Sequence, residues 1–292
     1  MGTVLRRQLG FREGKSMEPG RDRPPAVAGT FYSHDAARLR REIEAYLAAA
    51  EAPRAIDGEL VALVSPHAGY SFSGTVAGSA YRLVQGLKFD LVVIVAPSHH
   101  HLFSGFSIYT AGDYLTPLGR VPVERCLAME LIGKSAAVNF HPEAHRQEHS
   151  LEVQLPFLQV ALGDFQLLPI IMGRQSQAAA RQLALILTQV ADQRRVLLVA
   201  STDLSHFHDA ATAGRLDRGV LDAIAAFDPD LFWHLVESGT AEACGAGPLL
   251  AVMLAAQQLG ARRARILAYR HSGEVCGDNR RVVGYLAAAL FK

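Results

Sequence analysis

The stretch Leu91-Val92-Val93-Ile94-Val95-Ala96-Pro97-Ser98-His99-His100-His101 decides how this chain folds. It opens on a short apolar run rich in Val and Ile, which predicts a strand covered on both faces, as strands of a parallel sheet are. Polar, metal-competent side chains follow at once. In open α/β sheets ligands bind outside the carboxyl ends of the strands, so the chemistry is expected here.

Working outward, Glu59–Ser65, Phe165–Met172 and Val196–Ser201 read as further strands of this kind. Gly74–Val84 and the alanine-rich Gln177–Ala191 have the helical period of crossover segments, after an earlier helix at Ala36–Ala49. Ala210–Phe227, Pro229–Glu237 and Pro248–Leu259 also read as helices, with Pro229 and Pro248 near helix starts where a missing N–H costs nothing. Arg265–Tyr269 and Val282–Leu290 read as late strands joined by a turn containing Gly277, Asp278 and Asn279. The alternation predicts an α/β fold with a mainly parallel central sheet flanked by helices.

Half of the 292 residues are hydrophobic, enough for a large core in one domain, expected over residues 23–292. Residues 1–22 carry Arg6, Arg7, Arg12 and Lys15 with no apolar segment behind them; they read as a flexible extension without a secretory signal, with Met17 as an alternative start. Lys plus Arg number 29 and Asp plus Glu 28, a balance that favours neither nucleic acid nor an anionic membrane, and no apolar run has transmembrane length. Cys126, Cys244 and Cys276 form no C-x-x-C pair and no full disulfide framework, which points to the cytoplasm.

Three strand ends are loaded with chemistry. Ser65-Pro66-His67-Ala68-Gly69-Tyr70 follows one, Pro97-Ser98-His99-His100-His101 the next, and Ser201-Thr202-Asp203-Leu204-Ser205-His206-Phe207-His208 another. A lone histidine at a strand end is more often a hydrogen-bonded rim residue than a ligand, but strands of one sheet aim alike, so His67, His99, Asp203 and His206 are expected across one crevice. Neutral imidazole suits Fe, Cu, Zn and Ni, and two histidines plus an anion with open positions is a non-haem Fe(II) arrangement. The anion is either Asp203 or Cys244, the latter in the glycine-rich Glu242-Ala243-Cys244-Gly245-Ala246-Gly247-Pro248; as a plain core residue Cys244 would be a buried small hydrophobe before a helix. Asp203 and His206 serve either as ligands or as a paired acid and base. Glu148-His149-Ser150-Leu151-Glu152 reads as a helix start with Ser150 as N-cap, broken soon after by Pro156, and places His149 and Glu152 either beside the crevice or on a surface helix. The region of Gly69 and Gly74 has neither G-x-G-x-x-G nor a Walker lysine, and there is no H-E-x-x-H, so a nucleotide phosphate site and a zincin are both disfavoured.

Taken in order, Ser-Pro-His67-Ala-Gly-Tyr70, Pro-Ser-His99-His100, Glu148-His149-Ser-Leu-Glu-Val-Gln-Leu-Pro156, Ser-Thr-Asp203-Leu-Ser-His206 and Cys244-Gly-x-Gly-Pro248 resemble the Memo family over residues 24–292. The resemblance implies a fold similar to the catalytic subunit of class III extradiol dioxygenases, which use non-haem Fe(II). It implies metal ligands at His67, His99 and Cys244, with Asp203 and His206 lining the pocket as catalytic groups, and His149, Glu148, Tyr70 and His100 around them. Thr202 stands where serine is commoner. A thiolate in place of a carboxylate favours copper, zinc or a covalent iron site over ring cleavage. The resemblance further implies the AmmeMemoRadiSam system, whose protein B is Memo-like, with an AMMECR-domain protein and a radical SAM protein as partners. The leading expectation is therefore an iron or copper protein with a redox role; an extradiol-type dioxygenase or hydrolase and a non-catalytic interaction module are the competing readings.

Overall fold

The computed structural model of the chain describes residues 21–50, 57–192 and 194–292. Met17 and all but the last two residues of the expected extension lie outside the described residues. Asp22 is already tied down, its carboxylate pairing with Arg120 at 2.7 Å and accepting from the Asp113 N–H at 3.0 Å.

In chain order the strands are β1 (Leu60–Ser65), β2 (Leu91–Pro97), β3 (Phe106–Ile108), β4 (Tyr114–Thr116), β5 (Gly119–Val121), β6 (Val138–Asn139), β7 (Leu167–Met172), β8 (Val196–Ser201), β9 (His206–His208), β10 (Arg263–His271) and β11 (Val282–Phe291). The helices are α1 (Ala36–Ala49), α2 (Tyr70–Tyr81), α3 (Arg125–Lys134), α4 (Pro142–Arg146), α5 (His149–Glu152), α6 (Gln154–Leu162), α7 (Gln177–Ala191), α8 (Ala210–Ala225), α9 (Pro229–Glu237), α10 (Ala246–Gln258) and α11 (Gly273–Cys276). Among the described residues nine strands share one sheet, in the order β10-β11-β1-β8-β2-β7-β3-β6, with β9 on β11. The centre, β1-β8-β2-β7, is parallel, as the unbroken apolar runs require. β11 and β3 border it antiparallel, and β10 pairs antiparallel with β11 on the outside.

β2 shows why its sequence does not alternate polar with apolar. Leu91, Val93 and Val95 face a core layer built with α7, α8 and α10, while Val92, Ile94 and Ala96 face a second layer built with α1, α2 and α6. Each Val or Ile so buried stabilises the fold by about 1.5–3 kcal/mol relative to exposure.

Several boundaries differ from the sequence expectation for local reasons. The helix expected from Gly74 starts at Tyr70, directly behind the strand-end motif. The expected N-cap, Ser150, lies inside α5, and Glu148 caps it instead, its carboxylate accepting from the Ser150 N–H at 3.0 Å. The break foreseen at Pro156 falls at Val153, where α5 gives way to α6, so Pro156 occupies the first turn of the new helix. The penultimate strand runs two residues beyond its expected Arg265–Tyr269 span at each end because it pairs with β11 from Arg263 to His271.

Arg23 ties the start of the described chain to this layer. It is fully buried and pairs with buried Glu152, while its Nε donates to the His145 carbonyl at 3.0 Å and its Nη2 to the Glu148 carbonyl at 2.6 Å. Glu152 also accepts from the Ala26 and Val27 N–H groups at 2.7 and 3.1 Å and from the Tyr32 hydroxyl. Removing one partner of a buried ion pair leaves the other uncompensated. Arg23→Met is expected to lower stability by roughly 3–5 kcal/mol in urea unfolding.

Beside this pair, the buried ring of His145 on α4 meets the Tyr114 hydroxyl through Nδ1 at 2.7 Å and the Ser107 hydroxyl through Nε2 at 2.9 Å. Burial, aided by the Arg23 charge, pushes its pKa down to about 3 from 6.5. The unfolded chain therefore takes up this proton first, so the stabilisation is complete above about pH 6.5 and declines as pH falls toward about 3. His145→Gln is expected to flatten that acid side of a melting-temperature-against-pH profile, whatever its effect at neutral pH.

Candidate metal centre

The parallel pairing of β1 with β8 sets Ser65 beside Ser201, and the Thr202 N–H continues the ladder to the Ser65 carbonyl at 3.0 Å. Two residues on, the chains remain joined: the His67 N–H donates to Asp203 Oδ1 at 2.7 Å. The loop before α10 closes over this end, with the Cys244 N–H donating to the Asp203 carbonyl at 3.1 Å and the Asp203 N–H to Cys244 Sγ at 3.2 Å. Gly245 makes the approach feasible, because a Cβ there would stand 2.4 Å from the Ser201 carbonyl oxygen. Cys244 Sγ thus lies 3.2 Å from His67 Nε2.

From the other side, β2 delivers His99 and the start of α5 delivers His149. One ligand atom from each of His67, His99 and His149 lies within 4.8 Å of the other two, a spacing that can hold a metal ion. The rings of His99 and His149 stack at 4.8 Å between centroids, and His67 meets them edge-on at 5.2 and 5.5 Å. Glu148 anchors His99 twice: Oε2 accepts its backbone N–H at 2.6 Å, and Oε1 lies 2.9 Å from its Nδ1. His149 Nδ1 lies 3.5 Å from the same oxygen, and His67 Nδ1 is 2.9 Å from the Ser201 hydroxyl. The His67 and His99 rings are thus held through Nδ1, which leaves their Nε2 for a ligand, as metal-binding imidazoles are usually held. The donor set fits a transition metal with a preference for nitrogen and sulfur.

The electrostatics agree. Burial, with the neighbouring His99 and His149 rings, lowers the His67 pKa well below its ordinary value, and burial lowers His149 to about 4, so both are neutral lone-pair donors at physiological pH. Burial alone would raise Glu148, but its bonds from the His99 ring and from backbone N–H groups outweigh that and hold it well below the carboxylate range. Burial raises Asp203 to about 7 against the pull of its backbone donors. Burial and the Asp203 charge push the Cys244 thiol up, so it keeps its proton unless a cation displaces it.

His206, half-buried, turns its Nδ1 to the Leu204 carbonyl at 2.8 Å, which leaves Nε2 as its proton acceptor. Asp203, expected to act with His206 either as a ligand or as a paired acid and base, instead accepts the His67 N–H through Oδ1. Tyr70 is buried, and its hydroxyl donates to the Val153 carbonyl at 2.6 Å, so it supports the α5–α6 junction. His100 stays exposed, 6.0 Å from the His149 ring. Gln154, Ser201 and Arg23 escaped the sequence reading as site residues, although Gln154 and Ser201 sit inside motifs that it quoted.

The arrangement has close counterparts in known sequences. A profile of the family described as "Memo-like protein" matches residues 23–289. The chain belongs to the Memo family. Its Memo-family relatives include a MEMO1 family protein of Methanopyrus kandleri, 38% identical over 281 residues, which cover 93% of this chain and 99% of that one. Another, from Methanobrevibacter smithii, is 34% identical over 281 residues, 92% of this chain and 99% of the relative. The crystal structure of the uncharacterized protein JW3007 from Escherichia coli K12 is similar in fold, with a TM-score of 0.51 at 16% identity, covering 78% of this chain and 99% of that one. No described helix is long and apolar enough to cross a membrane.

Glu148→Gln replaces one acceptor oxygen by an NH₂ group, so one of the two bonds from His99 loses its acceptor. Zinc affinity, measured by competition with a chelating dye, is expected to fall about 10–100-fold, as for other groups that orient metal-binding imidazoles.

Proposed function

We propose that this Memo-family chain binds iron or copper through His67, His99 and Cys244, with His149 as a further donor, and that the bound centre serves redox chemistry. One observation carries the reading: ligand atoms of three imidazoles lie within 4.8 Å of one another, with Nδ1 of His67 and of His99 already engaged behind them. Zinc suits the same donors but has no redox chemistry of its own. The sulfur against His67 Nε2 distinguishes the centre from a histidine–carboxylate site and favours the softer or more covalent metals. When bound, such a metal would supply an electron-transfer centre.

The chain's own groups define the rest of the chemistry. Cys244 gives up its proton on ligation, and His206, with Nδ1 fixed by Leu204, takes or returns a proton at Nε2. Asp203 fixes the backbone of the His67 turn, and its raised pKa lets it hold a proton near neutrality. Three unpaired cysteines accord with the reducing cytoplasm. The sequence resemblance supports an AMMECR-domain protein and a radical SAM protein as partners in the same reaction sequence.

Elemental analysis of protein purified without oxygen tests the assignment. Near-stoichiometric iron or copper is expected in the native protein and in Asp203→Ala, with loss in His67→Ala, His99→Ala and Cys244→Ala. Metal retained in Cys244→Ala but lost in His149→Ala would replace the thiolate by a third imidazole, and no metal in the native protein would overturn the reading.

A further inference from the structure

Behind His67 runs a buried chain of polar side chains whose protons can be assigned one by one. Gln154 Nε2 stands 2.9 Å from the Pro66 carbonyl and 2.8 Å from Ser201 Oγ, and its Oε1 accepts from the Tyr81 hydroxyl at 2.6 Å. The Pro66 carbonyl can only accept, so the amide must present its NH₂ to that side, which also directs an N–H at Ser201 Oγ. Ser201 Oγ is 2.6 Å from the Ser150 carbonyl, a second group that can only accept, so the single serine proton goes there. The serine oxygen is then left as acceptor toward His67 Nδ1 at 2.9 Å. His67 must therefore carry its proton on Nδ1, and the Nε2 lone pair points at Cys244 Sγ. Gln154, Ser201, Ser150, Tyr81 and His67 are all nearly inaccessible to solvent, so water offers no easy alternative partner.

We propose that Ser201, set by Gln154, is a positioning residue that locks His67 into the Nδ1–H tautomer and so keeps Nε2 permanently available as a ligand. The inference rests on the metal-binding reading for its purpose, but the tautomer itself follows from the metal-free network. In the other tautomer Nε2 would carry a hydrogen, which must be lost before a metal can bind, and the neutral imidazole would waste its lone pair on a serine oxygen that has no proton to give.

The test is two-bond proton–nitrogen correlation NMR on metal-free protein with isotope-labelled histidine, followed by zinc titration of the native protein, Ser201→Ala and Ser201→Thr. His67 is expected as the pure Nδ1–H tautomer in the native protein and in Ser201→Thr, which keeps the hydroxyl. In Ser201→Ala the Nε2–H form should appear, and zinc affinity should fall about 10–100-fold. An Nε2–H ring in the native protein overturns the proposal whether or not the variants fold, and so does unchanged tautomer and affinity in a folded Ser201→Ala. A native protein that shows the Nδ1–H ring but takes up no zinc, iron or copper would refute the metal reading and leave the tautomer assignment standing.

Discussion

The site depends on the parallel register between β1 and β8. Because Ser65 pairs with Ser201, every later residue of the two turns meets a fixed counterpart: Thr202 N–H finds Ser65, His67 N–H finds Asp203, and Ser201 lies under the His67 ring. Side chains alternate along a strand, so a slip of one residue would turn Ser201 to the opposite face and leave His67 without its Nδ1 partner. Such a slip would also set the alternating apolar faces of β8 against the wrong layers. The hydrophobic core and the polar site thus demand the same register, and the large energy of the first secures the fine geometry of the second.

The second support is electrostatic. Glu148 and Glu152 lie one helical turn apart and are both buried, an arrangement that desolvation and like charge disfavour. Each has donors aimed at it: Glu152 has Arg23, two backbone N–H groups and Tyr32, and Glu148 has two groups of His99 and the Ser150 N–H. Arg23 also holds the Glu148 carbonyl, so the segment carrying His149 is fixed from behind while its front faces the pocket. A preformed metal site needs this rigidity, since ligands that must be ordered on binding lose affinity in proportion to the freedom they give up.

The central strands and the convergence of His67, His99 and Asp203 were legible because they follow from local patterns: apolar runs of strand length, each ending in polar residues. The border on the β7 side was less so, since β3 and β6 span only three and two residues, too few to show a period. Arg23 could not be read as essential, because its partner lies 129 residues away and nothing near it in sequence announces burial. Ser150 looked like an N-cap by residue type, but the carboxylate two positions earlier takes the Ser150 N–H, and the serine hydroxyl turns to the Pro97 carbonyl at the end of β2. The role of Gln154 was hidden for a similar reason: a glutamine in the first turn of a helix is ordinary, and only the fold brings Pro66 and Ser201 to its amide.

The state of the pocket also argues for what it is built to receive. Burial acts on His67, His149, Asp203 and Cys244 in the same sense, driving each toward its uncharged form. A folded protein gains nothing by gathering neutral lone pairs where water is scarce, and packed hydrophobic residues would fill the space at lower cost. Such a cluster is useful when the charge comes from outside. In the proposed centre a cation would meet donors already in place and would lower the thiol pKa of Cys244, so that the sulfur would become anionic only on ligation. The drive of His67, His149, Asp203 and Cys244 toward uncharged forms and the donor character of their atoms are therefore two consequences of one arrangement, with ionised Glu148 behind His99 as its fixed negative charge.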